Sequence, residues 1–247
     1  MSEVCNALGL TSLAAALPGL LEQARQTQPT YATFLDQALQ VELDARKQRA
    51  EARRRRAAHL PTLKTLDTFD FSFQPSVPER VIRELAELTF VQTTTNIVFL
   101  GPPGVGKTHL SLALALKALE AGYSVLFTTL KDLAEGIEVG AATSPFQQRV
   151  RRYLAPRLLV IDEVGYRRLT TEQASALFEL VTARYEKGAI ILTSNTSFAE
   201  WGTLLGNEVL ASALLDRLLH HAEVISIQGP SYRMKERAEK ERPPSAA

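Results

Sequence analysis

The sequence predicts an α/β protein in which a parallel sheet covered by helices follows a small all-helical N-terminal domain. Three observations carry that expectation. Near-continuous runs of Val, Ile and Leu, as at Asn96–Leu100, Leu158–Ile161 and Ala189–Thr193, alternate with longer amphipathic segments. That is the pattern of strands buried on both faces. The first sixty residues hold no such run, and instead space Leu8, Leu10, Leu13, Leu17, Leu20 and Leu21 roughly as a helix does. Between the two regions, Pro61, Asp67–Asp70 and Pro75–Pro78 punctuate the chain.

Composition narrows the class. A chain of 247 residues, 45% hydrophobic and 22% charged, is enough for one α/β domain with a small appendage. The net charge of +1 conceals clustering of the basic residues. Cys5 is the only cysteine, which excludes an internal disulfide, and with the four histidines it forms no metal-ligand spacing. No stretch approaches the eighteen or so apolar residues of a membrane span. The start carries Glu3 and lacks the basic opening of a signal peptide, so a cytoplasmic protein is expected.

In order along the chain, residues 1–60 form the helical domain, with Pro18 and Pro29 as helix starts or breaks. A helix over about Tyr31–Ala58 begins apolar and ends basic, in Arg46, Lys47, Arg49 and Arg53–Arg56, against Asp44 and Glu51. Basic residues there complement the helix dipole or meet nucleic-acid phosphates. Four consecutive arginines, Arg53, Arg54, Arg55 and Arg56, favour the second reading, making residues 1–60 a DNA- or partner-binding domain. Residues 61–78 read as a linker with aromatic anchors Phe69, Phe71 and Phe73. The main domain, 79–237, then runs strand Asn96–Leu100, helix Lys107–Ala121, strand Ser124–Thr128, helices across Lys131–Tyr153 and strand Leu158–Ile161. Helix Thr171–Lys187, strand Ala189–Thr193, a helix about Asn207–His221, strand Glu223–Ile227 and a basic tail helix follow. Residues 238–247 read as a disordered tail.

The chemistry begins at Gly101, Pro102, Pro103, Gly104, Val105, Gly106, Lys107 and Thr108. This fits G-x-x-x-x-G-K-[ST] between a strand and a helix, the context that makes it a phosphate-binding loop. Glycines let backbone N–H groups curl round phosphates, where the helix N-terminus adds partial positive charge. Lys107 reaches the β- and γ-phosphates of ATP, and the Thr108 hydroxyl sits on Mg²⁺. His109 follows on the same helix and completes the candidate nucleotide-binding set, although a packed helix residue would look the same. Strand Leu158–Ile161 leads into two acids, and a parallel strand presents its carboxyl end to the ligand crevice. Asp162 supplies Mg²⁺ with a hard oxygen donor. Glu163 is the base or orienting group for a water attacking the γ-phosphate. The next strand ends in Thr193-Ser-Asn195, where Asn195 can hold that water.

These residues carry a resemblance. A P-loop, an Asp-Glu strand end and a Ser-Asn strand end look like the AAA+ ATPases. Phe69-Asp-Phe71, Lys107-Thr-His-Leu110, Leu159-Val-Ile-Asp-Glu163, Gly165-Tyr166, Glu200-Trp-Gly202, Leu214-Leu-Asp-Arg-Leu-Leu-His-His221 and Ser231-Tyr-Arg233 are more particular. Over about Asp67–Arg237 they resemble the IstB-like transposition helpers, relatives of the DnaC and DnaI helicase loaders. The resemblance implies an ATPase that binds duplex DNA largely without sequence preference. It further implies self-assembly with ATP sites between subunits, distortion of target DNA and recruitment of a transposase. Arg217 matches the family's trans-acting arginine and Arg233 its second sensor, within the same subunit. Arg149, Arg151 and Arg152 fall where the loader relatives carry a helical insert that tracks nucleic acid. Arg167 and Arg168 replace the family's usual Leu-Pro pair, a departure that adds charge without touching the ATP chemistry. All five fit phosphate contact, which gives affinity without base readout. A helicase loader, a small-molecule P-loop kinase and a nucleotide-switched scaffold are the alternatives, and the Asp-Glu and Ser-Asn pattern opposes the kinase.

Overall fold

In the computed structural model, which describes residues 1–138 and 146–234, the chain opens with three helices. These are α1 (Ser2–Ala7), α2 (Thr11–Thr27) and α3 (Tyr31–Ala57). They make up the first of two compact units, Met1–Arg56 and Ala57–Ala247. Leu13, Leu17 and Ala38 form the centre of the first unit's core, flanked by Cys5, Leu10, Leu20 and Phe34. Pro29 lies between helices, but Pro18 does not break one: α2 runs through it and forgoes a single N–H bond. The start of α2 has no side-chain cap of its own. Glu42 of α3 supplies one, accepting from Ser12 N–H (2.8 Å) and Leu13 N–H (3.0 Å). Arg46 and Arg49 hold the other oxygen of Glu42 at 2.9 and 3.0 Å. The Leu13 N–H, with these partners, holds the Glu42 carboxyl down to about 2. Part of the basic run on α3 is therefore committed to a buried carboxylate.

Early in the second unit, the Ala58 carbonyl accepts from Phe127 N–H at 2.8 Å. Residues 61–78 then send Leu66, Phe69 and Val77 into the core. Two short helices, α4 (Glu79–Leu85) and α5 (Thr89–Gln92), precede the sheet. From there the order is β1 (Asn96–Leu100), α6 (Lys107–Glu120), β2 (Val125–Thr129), α7 (Leu130–Glu138), α8 (Phe146–Leu154) and β3 (Leu158–Val164). It continues with α9 (Thr171–Arg184), β4 (Ala189–Ser194), α10 (Trp201–Leu205), α11 (Glu208–Leu219) and β5 (Ala222–Ser226). The expected tail helix and tail beyond Met234 lie outside the described residues.

Among the described residues the five strands are all parallel, in the order β2-β3-β4-β1-β5. Alternation sends Ile97, Phe99, Val160 and Ile191 to one face and Val98, Ile161 and Leu192 to the other. Each face is covered by helices, so both sets are buried and the strands read as unbroken apolar runs. Helix α6 is buried through most of its length for the same reason. Helix α9 starts on a reciprocal Thr170–Gln173 capping box, and α11 on Asn207, whose side chain accepts from Leu210 N–H at 3.0 Å. The strand order sets the carboxyl ends of β3, β4 and β1 side by side.

One strand departs from expectation. β3 does not end before its acids but continues through them to Val164, with a bulge between Ile161 and Val164.

Candidate active site

A cleft of about 360 Å³ opens at those carboxyl ends. It is lined by Pro103, Gly104, Gly106, Lys107, Thr108 and His109 of the loop and helix α6, by Glu163, Thr193 and Asn195 from the ends of β3 and β4, and by Phe69, Tyr232 and Arg233. The volume falls in the range of small-molecule sites. Gly106 caps α6 at φ 101°, a left-handed conformation that a side chain resists. A Cβ there would also stand 2.6 Å from the Phe69 ring. With no side-chain cap, the first N–H groups of α6 remain open toward the cleft. Lys107 is buried, its Nζ donating to Gly101 O (2.6 Å) and Pro102 O (2.8 Å). Burial pushes the Lys107 ammonium down to about 8, with Asp162 opposing the fall and Arg233 adding to it.

The Thr108 hydroxyl donates to both oxygens of Asp162, at 3.0 and 3.1 Å. Asp162 is buried, whereas Glu163 is exposed to the cleft. Thr193 donates to Asp162 Oδ1 and accepts from Glu163 N–H at 3.1 Å. Asn195 lines the cleft, and its Oδ1 is buried beside Gly165 with no hydrogen-bond partner among the described residues. Gly165, at φ 107°, leaves the room for it, since a side chain there would run into Asn195 and Thr196.

His109 lines the cleft but its ring turns to the preceding segment. Nε2 meets Thr65 O at 2.9 Å, so that nitrogen carries the proton, and the ring stands edge-on to Phe69. Burial, ahead of the Thr65 contact, lowers its pKa. Sequence reasoning placed Arg233 at the site but missed the part played by its neighbour Tyr232. Tyr232 N–H donates to Gly104 O at 2.9 Å, its hydroxyl to Asp70 O, and its ring packs on Phe73 and Phe69. Tyr232 and Asp70 lie 162 residues apart in the chain, a separation that no local pattern signals. Burial pushes the Tyr232 phenol up to about 12.

The arginines divide. Arg233 is brought to the cleft, whereas Arg217, on α11, is not among its lining residues. The Arg217 guanidinium lies 4.9 Å over the Phe178 ring and lines a separate small cavity with Tyr185 and His221. On α8, Val150 and Tyr153 are buried while Arg151 and Arg152 are exposed and Arg149 is half-buried. Arg167 pairs with Glu135 at 3.6 Å, and Arg168 is exposed. In the first unit Arg53 and Arg56 are exposed and Arg55 is paired with Glu51 at 3.0 Å. Arg54 is half-buried. Among the described residues no helix is long and apolar enough to cross a membrane.

Comparison with known proteins gives concordant similarities. The profile of the IstB-like ATP binding protein family matches residues 4–240. A Pseudomonas aeruginosa protein described as a putative ATP-binding protein of insertion sequence IS21 is 46% identical over 93% of this chain and 87% of its own. The corresponding protein of insertion sequence IS5376 from Geobacillus stearothermophilus is 41% identical over 95% of this chain and 94% of its own. Among solved structures, the DnaC helicase loader superposes with a TM-score of 0.52 at 25% identity, covering 61% of this chain and 88% of that one.

Proposed function

The chain belongs to the IstB-like ATP binding protein family, and from that membership we propose that it hydrolyses ATP to assemble on duplex DNA as the helper of an insertion-sequence transposase. ATP binding goes with the family. Hydrolysis is a reading of the cleft, and one observation carries it: an exposed carboxylate, Glu163, and Asn195 line the same cleft as Lys107 and Thr108 at the N-terminus of α6. Phosphates seated on that helix end leave both groups to orient a water and take its proton.

The phosphate-binding set is Gly101–Thr108, with Lys107 as the main cationic partner. Thr108 and Asp162 offer only hard oxygens, a donor pair that fits Mg²⁺, and the ion when bound neutralises charge on the phosphates. Arg233 meets the nucleotide within the same subunit. Arg217 lies away from its own cleft and acts in a neighbour's, stabilising charge that grows in the transition state. ATP sites between subunits therefore require an oligomer. Arg53, Arg54, Arg55, Arg56, Arg149, Arg151, Arg152, Arg167 and Arg168 supply phosphate contacts to DNA. The relatives belong to insertion sequences, which makes a transposase the partner. The likeness to the DnaC loader supports a second reading, a helicase loader, which would prefer single strands over duplex.

The chemical half of the proposal is tested by two variants. Lys107→Ala loses ATP binding, since the β- and γ-phosphates are deprived of their main side-chain partner. Glu163→Gln keeps ATP affinity and loses turnover by about 10²- to 10⁴-fold, the span typical of general-base removal. Hydrolysis by Glu163→Gln at the wild-type rate would contradict the assignment.

A further inference from the structure

The bulge in β3 has a specific shape. Ile161 pairs with Leu192 and Val164 with Ser194, so two residues of β3, Asp162 and Glu163, oppose one residue of β4, Thr193. In a regular strand adjacent side chains point to opposite faces. Here the extra residue re-aims them, and Asp162 meets Thr108 while Glu163 opens to the cleft. The re-aiming has a backbone signature. Glu163 sits at φ 63°, a left-handed conformation rare for a non-glycine residue, which persists only where its surroundings hold it.

One hydroxyl bonds to both residues of the bulge. Thr193 is buried, with its hydroxyl proton donated to Asp162 Oδ1. The oxygen's remaining lone pairs accept from Glu163 N–H at 3.1 Å, in place of the ladder bond that the bulge breaks. One hydroxyl has one proton and two lone pairs, so both bonds are made at once. We propose that Thr193 is the positioning residue of the hydrolytic site, fixing the Asp162 carboxylate on one side of the bulge and the Glu163 backbone on the other. The proposal rests on the reading of Glu163 as the group that acts on the attacking water. Thr193 itself takes no proton from the reaction; it acts through its two neighbours.

The test compares Thr193→Val, Thr193→Ala and Thr193→Ser with wild type and with Glu163→Gln, in full-length protein, reading kcat, KM and ATP affinity. Valine keeps the shape and removes both hydrogen bonds, and alanine removes them together with the methyl group. Thr193→Val and Thr193→Ala should lower kcat by about 10- to 100-fold, the scale at which small misplacement of a catalytic group acts. ATP affinity should stay within about threefold of wild type, and Thr193→Ser should recover kcat to within about threefold, because binding needs the loop and the hydroxyl alone does the positioning. Adding Thr193→Val to Glu163→Gln should slow turnover by less than Thr193→Val slows the wild type, because the arm that acts through Glu163 is already lost while the arm to Asp162 remains. Wild-type kcat in both Thr193→Val and Thr193→Ala beside an inactive Glu163→Gln would overturn the proposal and leave the hydrolytic reading intact. Failure of serine to restore kcat would overturn it too, by making the role one of packing. An active Glu163→Gln would remove the reading itself.

Discussion

Lys107 is where burial and function are in direct tension. Folding takes its ammonium out of water and lowers its pKa to about 8, so near that pH a fraction of free protein has a neutral lysine. Phosphate oxygens favour the charged form, so binding ATP takes up a proton wherever the free site has released one. ATP affinity should therefore be flat well below pH 8 and fall above it, by at most about tenfold per pH unit. Calorimetric titrations in buffers of different ionisation enthalpy would register the proton uptake. A slope that persists in Lys107→Arg, whose guanidinium stays protonated, would place the effect on another group. That Lys107, Thr108, Asp162, Glu163 and Asn195 meet in one place is legible in the sequence, because spacing in a strand–loop–helix context restricts where they can lie. The part played by Thr193 is not. A threonine near a strand end is an ordinary strand residue until a bulge sets it opposite two acids. Tyr232 was read only as part of a phrase beside Arg233, and its grip on Gly104 and Asp70 needs the fold.

At the scale of elements, the main strands and long helices were readable because their burial is two-sided or strongly amphipathic. The shorter pieces were not. Helices α4, α5 and α10 are at most seven residues long, about two turns or fewer, and leave no periodicity to read. The bulge in β3 leaves no mark for a related reason: the hydrophobic run stops at Ile161, whereas the strand continues through the two acids to Val164. On α3 the sequence showed a block of positive charge, and the fold divides it. Arg46 and Arg49 hold Glu42, which leaves the last turn as the part open to a partner. Replacing Arg53–Arg56 with alanine preserves helix propensity, so any defect is one of charge. For every phosphate that an arginine no longer neutralises, the log–log salt dependence of duplex binding should flatten by about 0.9, equally across sequences. The Arg55–Glu51 pair makes the expected change smaller than four unpaired arginines would give. An unchanged salt slope would leave the run as a dipole-matched helix end.

For the whole molecule, the placement of Arg217 away from the cleft that holds Lys107 makes hydrolysis, on this account, a property of an assembly. Arg217→Ala should bind ATP and lose turnover, by up to about 10³-fold or more on the scale of arginine fingers. Mixing it with Lys107→Ala should return a small activity, because a Lys107→Ala subunit still donates its arginine to an Arg217→Ala neighbour. A mixture no better than the two parents would place Arg217 within its own subunit's site. Assembly on duplex DNA, driven by ATP, is the central claim, and direct imaging tests it. Electron micrographs of the protein with duplex DNA, with ATP and without, should show rings or filaments clasping the duplex only when ATP is present. Lys107→Ala should form none, and Glu163→Gln should form longer-lived ones. Equal assembly with and without nucleotide, or assembly on single strands alone, would contradict the account.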